Sequence, residues 1–341
     1  MIGTAAELLL GLALAGLTLR DVFDTVVVPG GSRTTLHVAR RLVFLLLPVW
    51  KRLRGRRRGL STMFAPFVLV AAFALWMGLL ALGFGLMAHA LRADFSPPPA
   101  GFGDSLYAAG TALVTVGEGY SQPTGAARWV ILAAGFCGLA VMTMAVTYLL
   151  EVQSSISRRD KGILKLKTSA GEPPSAVGLL EKFGAIGARG ELPHVLRDGR
   201  DWCATVLQSH SSHPSLIYFR TAGTGAGWPA ALGALLDLAL ICERCIDAPE
   251  LRGLGVLLRE DGSRMARDIS TLIGLDPQAP GSLAGEEIAA MSAGLTGSGY
   301  SMRQDFDAAA FAREREEHRC WTAALAAHLD RPAAPLLPAV A

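Results

Sequence analysis

Two stretches of this chain carry apolar side chains on every helical face and no formal charge: Phe67 to Leu91, and Trp129 to Leu150. A helix needs about 20 such residues to cross the hydrocarbon core of a bilayer, so each predicts a membrane span. Upstream, Ala5 to Val28 is also hydrophobic, but Arg20, Asp21 and Asp24 interrupt it. Charges there are costly unless paired or near an interface, and the segment predicts an additional membrane helix with its start outside. Val38, Leu42, Leu45, Leu46 and Val49 then fall at three-to-four spacing beside Arg40, Arg41 and Lys51. That pattern suits a helix lying along the cytoplasmic surface, bent or ended by Pro48, the alternative being a segment packed on a neighbour.

After Leu150 the pattern changes. Apolar residues recur at helical spacing over Val177 to Ile186, Ala230 to Ile241, Leu254 to Ile273 and Phe306 to Leu329, and no long period-two alternation competes with them. A water-soluble, all-helical domain is expected. Ser169 to Ser175, rich in Gly, Pro and Ser, reads as the end of a linker. Pro332 to Ala341 has no charged side chain and reads as a disordered tail.

Charge supplies the topology. The cluster Lys51, Arg52, Arg54, Arg56, Arg57 and Arg58 precedes the first span, and Arg158, Arg159, Lys161, Lys165 and Lys167 follow the second. By the positive-inside rule both flanks are cytoplasmic, so the segment between the spans faces the other side. Its apolar middle predicts that part of it re-enters the membrane. Composition agrees, with 51% hydrophobic residues and a mean hydropathy of +0.37. A net charge of +3 gives no reason to expect nucleic acid. The five cysteines show no disulfide spacing, and the four after Leu150 fit a reducing compartment. Met1 to Leu19 lacks a basic start and carries Glu7, so it reads as a retained helix rather than a cleaved signal.

The candidate chemistry lies between the spans. Gly103-Asp104-Ser105-Leu106-Tyr107 leads through small and apolar residues to Val114, followed by Thr115-Val116-Gly117-Glu118-Gly119-Tyr120. This resembles the pore loop of the potassium-channel superfamily, where a short helix leads into a TVGYG filter between two membrane helices. The resemblance implies a tetramer in which main-chain carbonyls replace the hydration shell of a permeant cation. Thr115, Val116, Gly117, Glu118 and Gly119 are the expected ion-coordinating filter, with Tyr120 at the outer mouth. Gly117 and Gly119 can take backbone angles that other residues resist. Asp104 is placed to cap the pore helix, whose carboxyl end would aim its dipole at the ion path.

Glu118 and Tyr120 stand where the consensus has Tyr and Asp. The filter looks closer to that of bacterial cation channels with TVGDG, which pass sodium as well as potassium. Glu118 either rings the outer mouth or turns behind the filter as a hydrogen-bonding partner. Gly135 and Gly138 lie at the depth of a hinge in related inner helices, and both bending and close packing stay open. Thr143 and Thr147, one turn apart, are candidates to line an inner cavity.

Three further signals are weak. Gly223-Thr224-Gly225-Ala226-Gly227 precedes a helix, but Trp228 holds the third-glycine position and no alternating strands accompany it. Cys242 and Cys245 form a CxxC without a second pair, and His210 and His213 flank a turn at Pro214. No enzyme constellation is present. The expected architecture is an all-α membrane protein: an N-terminal membrane helix plus basic interfacial helix over 1–60, a pore-loop channel module over 61–152, a linker over 153–175, a helical cytoplasmic domain over 176–331, and the tail over 332–341. It is expected to form a homotetramer in the cell membrane, with no cofactor and no metal beyond the permeant cations. The partner or ligand of the cytoplasmic domain is not legible.

Overall fold

The computed structural model describes residues 2–27, 64–117, 119–221, 223–277 and 285–338. The expected interfacial basic helix and Glu118 lie outside them. The chain divides into two units, Met1–Val152 and Gln153–Ala341, and the described residues are all-α apart from one two-residue strand pair and an isolated bridge between Ile246 and Met302.

In the first unit, α1 (Ile2–Val26) and α2 (Phe64–Ala90) lead to the strand β1 (Phe95–Ser96) and the short helix α3 (Phe102–Leu113). The chain returns through β2 (Gln122–Pro123) into α4 (Ala127–Ala170). Pro66–Ala90 and α4 are long and apolar enough to cross a membrane. Small residues set the helix crossings. A methyl group on Gly11 would lie 2.5 Å from the Gly83 carbonyl oxygen, so α1 and α2 approach backbone to backbone. Two residues on, Gly85 admits Leu106 of α3. Val22, Trp76, Leu80, Phe84, Ala109, Leu113, Ala134 and Val141 close the core between these helices.

The helix α4 does not stop where a linker is expected. It runs on to Ala170, because Ile163, Leu166 and Ala170 follow three-to-four spacing and bury an apolar stripe in the second unit. Only Gly171–Pro174 remains as a turn.

The second unit adds α5 (Ala176–Ala185), α6 (Leu192–Ser212), α7 (Gly227–Arg244), α8 (Pro249–Leu272), α9 (Gly285–Gly297) and α10 (Ala308–His328). Every residue of α7 from Gly227 to Glu243 is buried, which explains its near-continuous apolar sequence. The helix α8 crosses it through Gly255 and Gly262, whose added methyl groups would strike Ala239 and Leu236. Ser175 caps α5 by accepting from the Gly178 N–H, and Asp307 caps α10 by accepting from Ala309 and Ala310. A buried charge cluster joins α7 and α10. Arg315 donates two 2.9 Å hydrogen bonds to Asp237, and His318 Nε2 lies 2.9 Å from Asp237 Oδ1.

The tail expected to be disordered is placed against this core as far as Pro338. Ala334 and Leu336 are buried, the Ser175 hydroxyl donates to the Leu336 carbonyl at 2.7 Å, and Pro338 covers Gly178. The lack of charge that reads as low complexity is what lets these residues serve as an apolar strap.

Candidate functional site: the loop after the pore helix

The helix α3 ends in a tight reversal. Thr115 sits at φ 61, in the left-handed region that favours glycine, and its N–H bonds the Ala112 carbonyl at 2.9 Å. The Val116 N–H bonds the Thr111 carbonyl at 2.8 Å, which completes a Schellman-type cap with threonine in the glycine position. A β-branched residue there stores on the order of 1–3 kcal/mol of strain, a cost that tends to cluster at functional sites. Gly117 repeats the left-handed turn at φ 69, and its N–H also reaches Thr111, at 3.0 Å.

The consequence is an asymmetry between donors and acceptors. The N–H groups of Val114, Thr115, Val116 and Gly117 all turn back into the last carbonyls of α3. No donor among the described residues bonds the carbonyl oxygens of Thr115, Val116 or Gly117. The loop therefore presents free oxygens, which is the requirement for coordinating a dehydrated cation. Gly119 does not share the positive φ, and its carbonyl accepts from the Gln122 side chain at 3.2 Å. Tyr120 is 89% exposed.

The loop is braced from both sides. Asp104 sits at the third position of α3 rather than at its cap, which is Gly101, and its carboxylate accepts from the Ala100 N–H at 3.0 Å. A residue that sequence reading passed over ties the return segment. The Asp94 backbone carbonyl accepts from the Thr124 N–H at 2.7 Å and its carboxylate from the Ala126 N–H at 3.0 Å, at the entrance of α4. Gly125, at φ 44, fits against that carboxylate, where an added methyl would lie 3.0 Å from it. The strand pair Phe95 with Pro123 closes the same junction. The signal was available, since Asp94 and Thr124-Gly125 are turn residues, but the pairing is 32 residues apart.

Gly138 is a packing glycine. A methyl group there would lie 1.7 Å from the Leu113 carbonyl oxygen, so α4 crosses the end of α3 at that point, whereas Gly135 makes only an ordinary 3.4 Å approach to Ala112. Further along α4, Thr143 and Thr147 are exposed in the single chain, with hydroxyls bonded to their own helix at 2.8 Å (Leu139) and 3.0 Å (Met144). Phe136, Leu139, Val146 and Leu150 are exposed beside them.

Residues 67–154 match the family model described as "Ion channel". Over this segment the chain is similar to ion channels. The match begins in α2, spans α3 and the loop after it, and ends in α4. A protein of Bacillus subtilis (strain 168), described as the uncharacterized membrane protein YdjJ, is 28% identical over 119 residues, which cover 33% of this chain and 35% of that relative. This chain thus aligns with about a third of the relative's length. No solved structure matches it. In the second unit, Cys242 and Cys245 of the CxxC are free and buried, and burial pushes the Cys242 thiol up to about 12.

Proposed function

We propose that four copies of this chain surround one axis and conduct potassium through the loop Thr115–Gly119, with sodium admitted at an appreciable fraction of the potassium rate. The observation that carries this reading is the set of carbonyls at Thr115, Val116 and Gly117 that no donor among the described residues bonds, on a backbone whose amides from Val114 to Gly117 are committed to α3. One chain supplies one such loop, and a cation needs oxygens from every side, so closed fourfold symmetry follows from the coordination chemistry. The exposed stripe of α4 supports the same assembly, since its membrane run is only 17% buried in one chain against 39% for α2. In a tetramer that stripe, with Thr143 and Thr147, lines the inner cavity. The basic flanks put the helical unit on the cytoplasmic side, and the reading requires no cofactor.

The test is potassium flux in liposomes. Wild-type protein passes potassium, and Gly117→Ala abolishes flux, because alanine at φ 69 costs about 1–2 kcal/mol in each of four subunits. Absent flux, or flux untouched by the substitution, would leave a non-conducting membrane sensor on a channel-like fold as the better account.

A further inference from the structure

A carboxylate buried in an apolar helix bundle needs a reason, because burial disfavours its charge. Asp21 of α1 is 4% exposed and accepts a 2.7 Å hydrogen bond from the indole Nε1–H of Trp76, itself 1% exposed on α2. Holding α1 in place does not call for this bond, since the backbone crossing at Gly11 and Gly83 already joins the two helices. The bond instead fixes the rotation of one ring. Trp76 packs edge-on against Phe73, with centroids 5.3 Å apart, and Phe73 packs edge-on against Tyr148 of α4 at 6.1 Å. Tyr148 is 8% exposed and directly follows Thr147. A continuous path of oriented groups therefore runs from α1 to Tyr148, near the end of the apolar run of α4 that is farther along the chain from the loop after α3.

We propose that Asp21 is a positioning residue for the gate: its bond to Trp76 sets the Phe73 and Tyr148 rings, and through them the stance of α4, so that α1 biases whether the pore is open. Trp76 is the pivot. Without an acceptor, its N–H is left unpaired in an apolar core and the ring turns to find one, which removes the edge that Phe73 rests on. The three rings act as one packed unit with a small set of stable arrangements, the physical form that coupling between helices takes. The filter is not on this path, so gating and selectivity should separate.

This inference rests on the channel reading above, and the experiment distinguishes the two. Full-length protein is recorded in planar bilayers as wild type, Asp21→Leu, Asp21→Asn, Trp76→Phe, Phe73→Leu and the Asp21→Leu, Phe73→Leu double variant. Asp21→Leu and Trp76→Phe shift open probability in the same direction by about fivefold or more, the usual size of coupling between sites. Asp21→Asn behaves as wild type, because the amide oxygen still accepts from Trp76. Reversal potentials stay unchanged in all of them. The double variant matches Phe73→Leu alone within about twofold, since the path is already broken. The proposal is overturned if the Asp21→Leu effect repeats in full on the Phe73→Leu background, if Asp21→Asn fails like Asp21→Leu, or if reversal potential moves with open probability. Should Asp21→Leu not assemble, Trp76→Phe, which keeps an aromatic ring, makes the same comparison. Wild-type protein without any current would instead sink the channel reading itself.

Discussion

His210 shows how one buried residue ties stability to pH. It is 1% exposed, lies edge-on to Trp228 at 5.6 Å, and burial followed by the nearby Arg159 charge lowers its pKa to about 3. In the unfolded chain a histidine takes a proton near pH 6.5. Between about pH 6.5 and 3 the unfolded state therefore holds a proton that the native state refuses. Stability is full above that window and falls as pH drops through it, by about 1.4 kcal/mol per pH unit at the steepest. Denaturant melts of the full chain in detergent should show that acid slope, and His210→Phe should flatten it by about that amount. Asp237 adds to acid sensitivity with a different window. Burial opposes its charge, but Arg315 and the His318 bond hold its carboxyl below the usual carboxylate range, so its contribution is lost only as pH falls below about 4. Asp237→Asn, which leaves Arg315 charged and buried, should cost about 3–5 kcal/mol in the same melts.

At the scale of elements, the two glycines of α4 separate bending from packing. Gly138→Ala must push α3 and α4 apart, because the methyl would lie 1.7 Å from the Leu113 carbonyl oxygen, whereas Gly135→Ala meets nothing closer than 3.4 Å. Potassium flux should vanish in the first variant and persist in the second, which also gains up to about 1 kcal/mol of helix propensity. Equal sensitivity at both sites would favour a hinge. This contrast also marks the limit of what sequence conveys. The long helices over Phe67–Leu91 and Trp129–Leu150 and the short helix ahead of Thr115 were legible, because uninterrupted apolar runs and a TVGxG string between them are local signals. The bracing of the loop was not, since Asp94 meets Ala126 only after the chain has turned back. The helix α6 escaped notice because Asp198, Gly199, Arg200 and Asp201 interrupt its pattern, although Leu192, Leu196, Cys203 and Val206 keep the buried stripe. The tail misled for the opposite reason: composition described Pro332–Pro338 correctly, and only a groove beside Ser175 and Gly178 shows what those residues are for.

At the scale of the whole molecule, selectivity in the proposed channel is the property that four loops would decide together. In the proposed channel the potassium sites would be the Thr115, Val116 and Gly117 carbonyls, on a segment whose own N–H groups donate to the last carbonyls of α3 in the same chain. Among the described residues, the outer part shows no such bond into α3. The Gly119 carbonyl is bonded to Gln122, Gly119 has no left-handed turn, and Tyr120 is 89% exposed rather than packed behind the loop. A filter that is stiff at its inner end and loose at its outer end should bind potassium at the inner sites and discriminate weakly against sodium overall, because discrimination rises with the number of sites whose carbonyls stay in place. Bi-ionic recordings of reconstituted wild-type protein should therefore give a sodium permeability that is an appreciable fraction of the potassium value. Changing Glu118 to Tyr and Tyr120 to Asp together should lower that fraction by about tenfold, by supplying the packing and the carboxylate that the outer loop lacks. Near-exclusive potassium permeation in the unmodified channel would mean that subunit contacts, rather than the residues at 118 and 120, stiffen the outer filter.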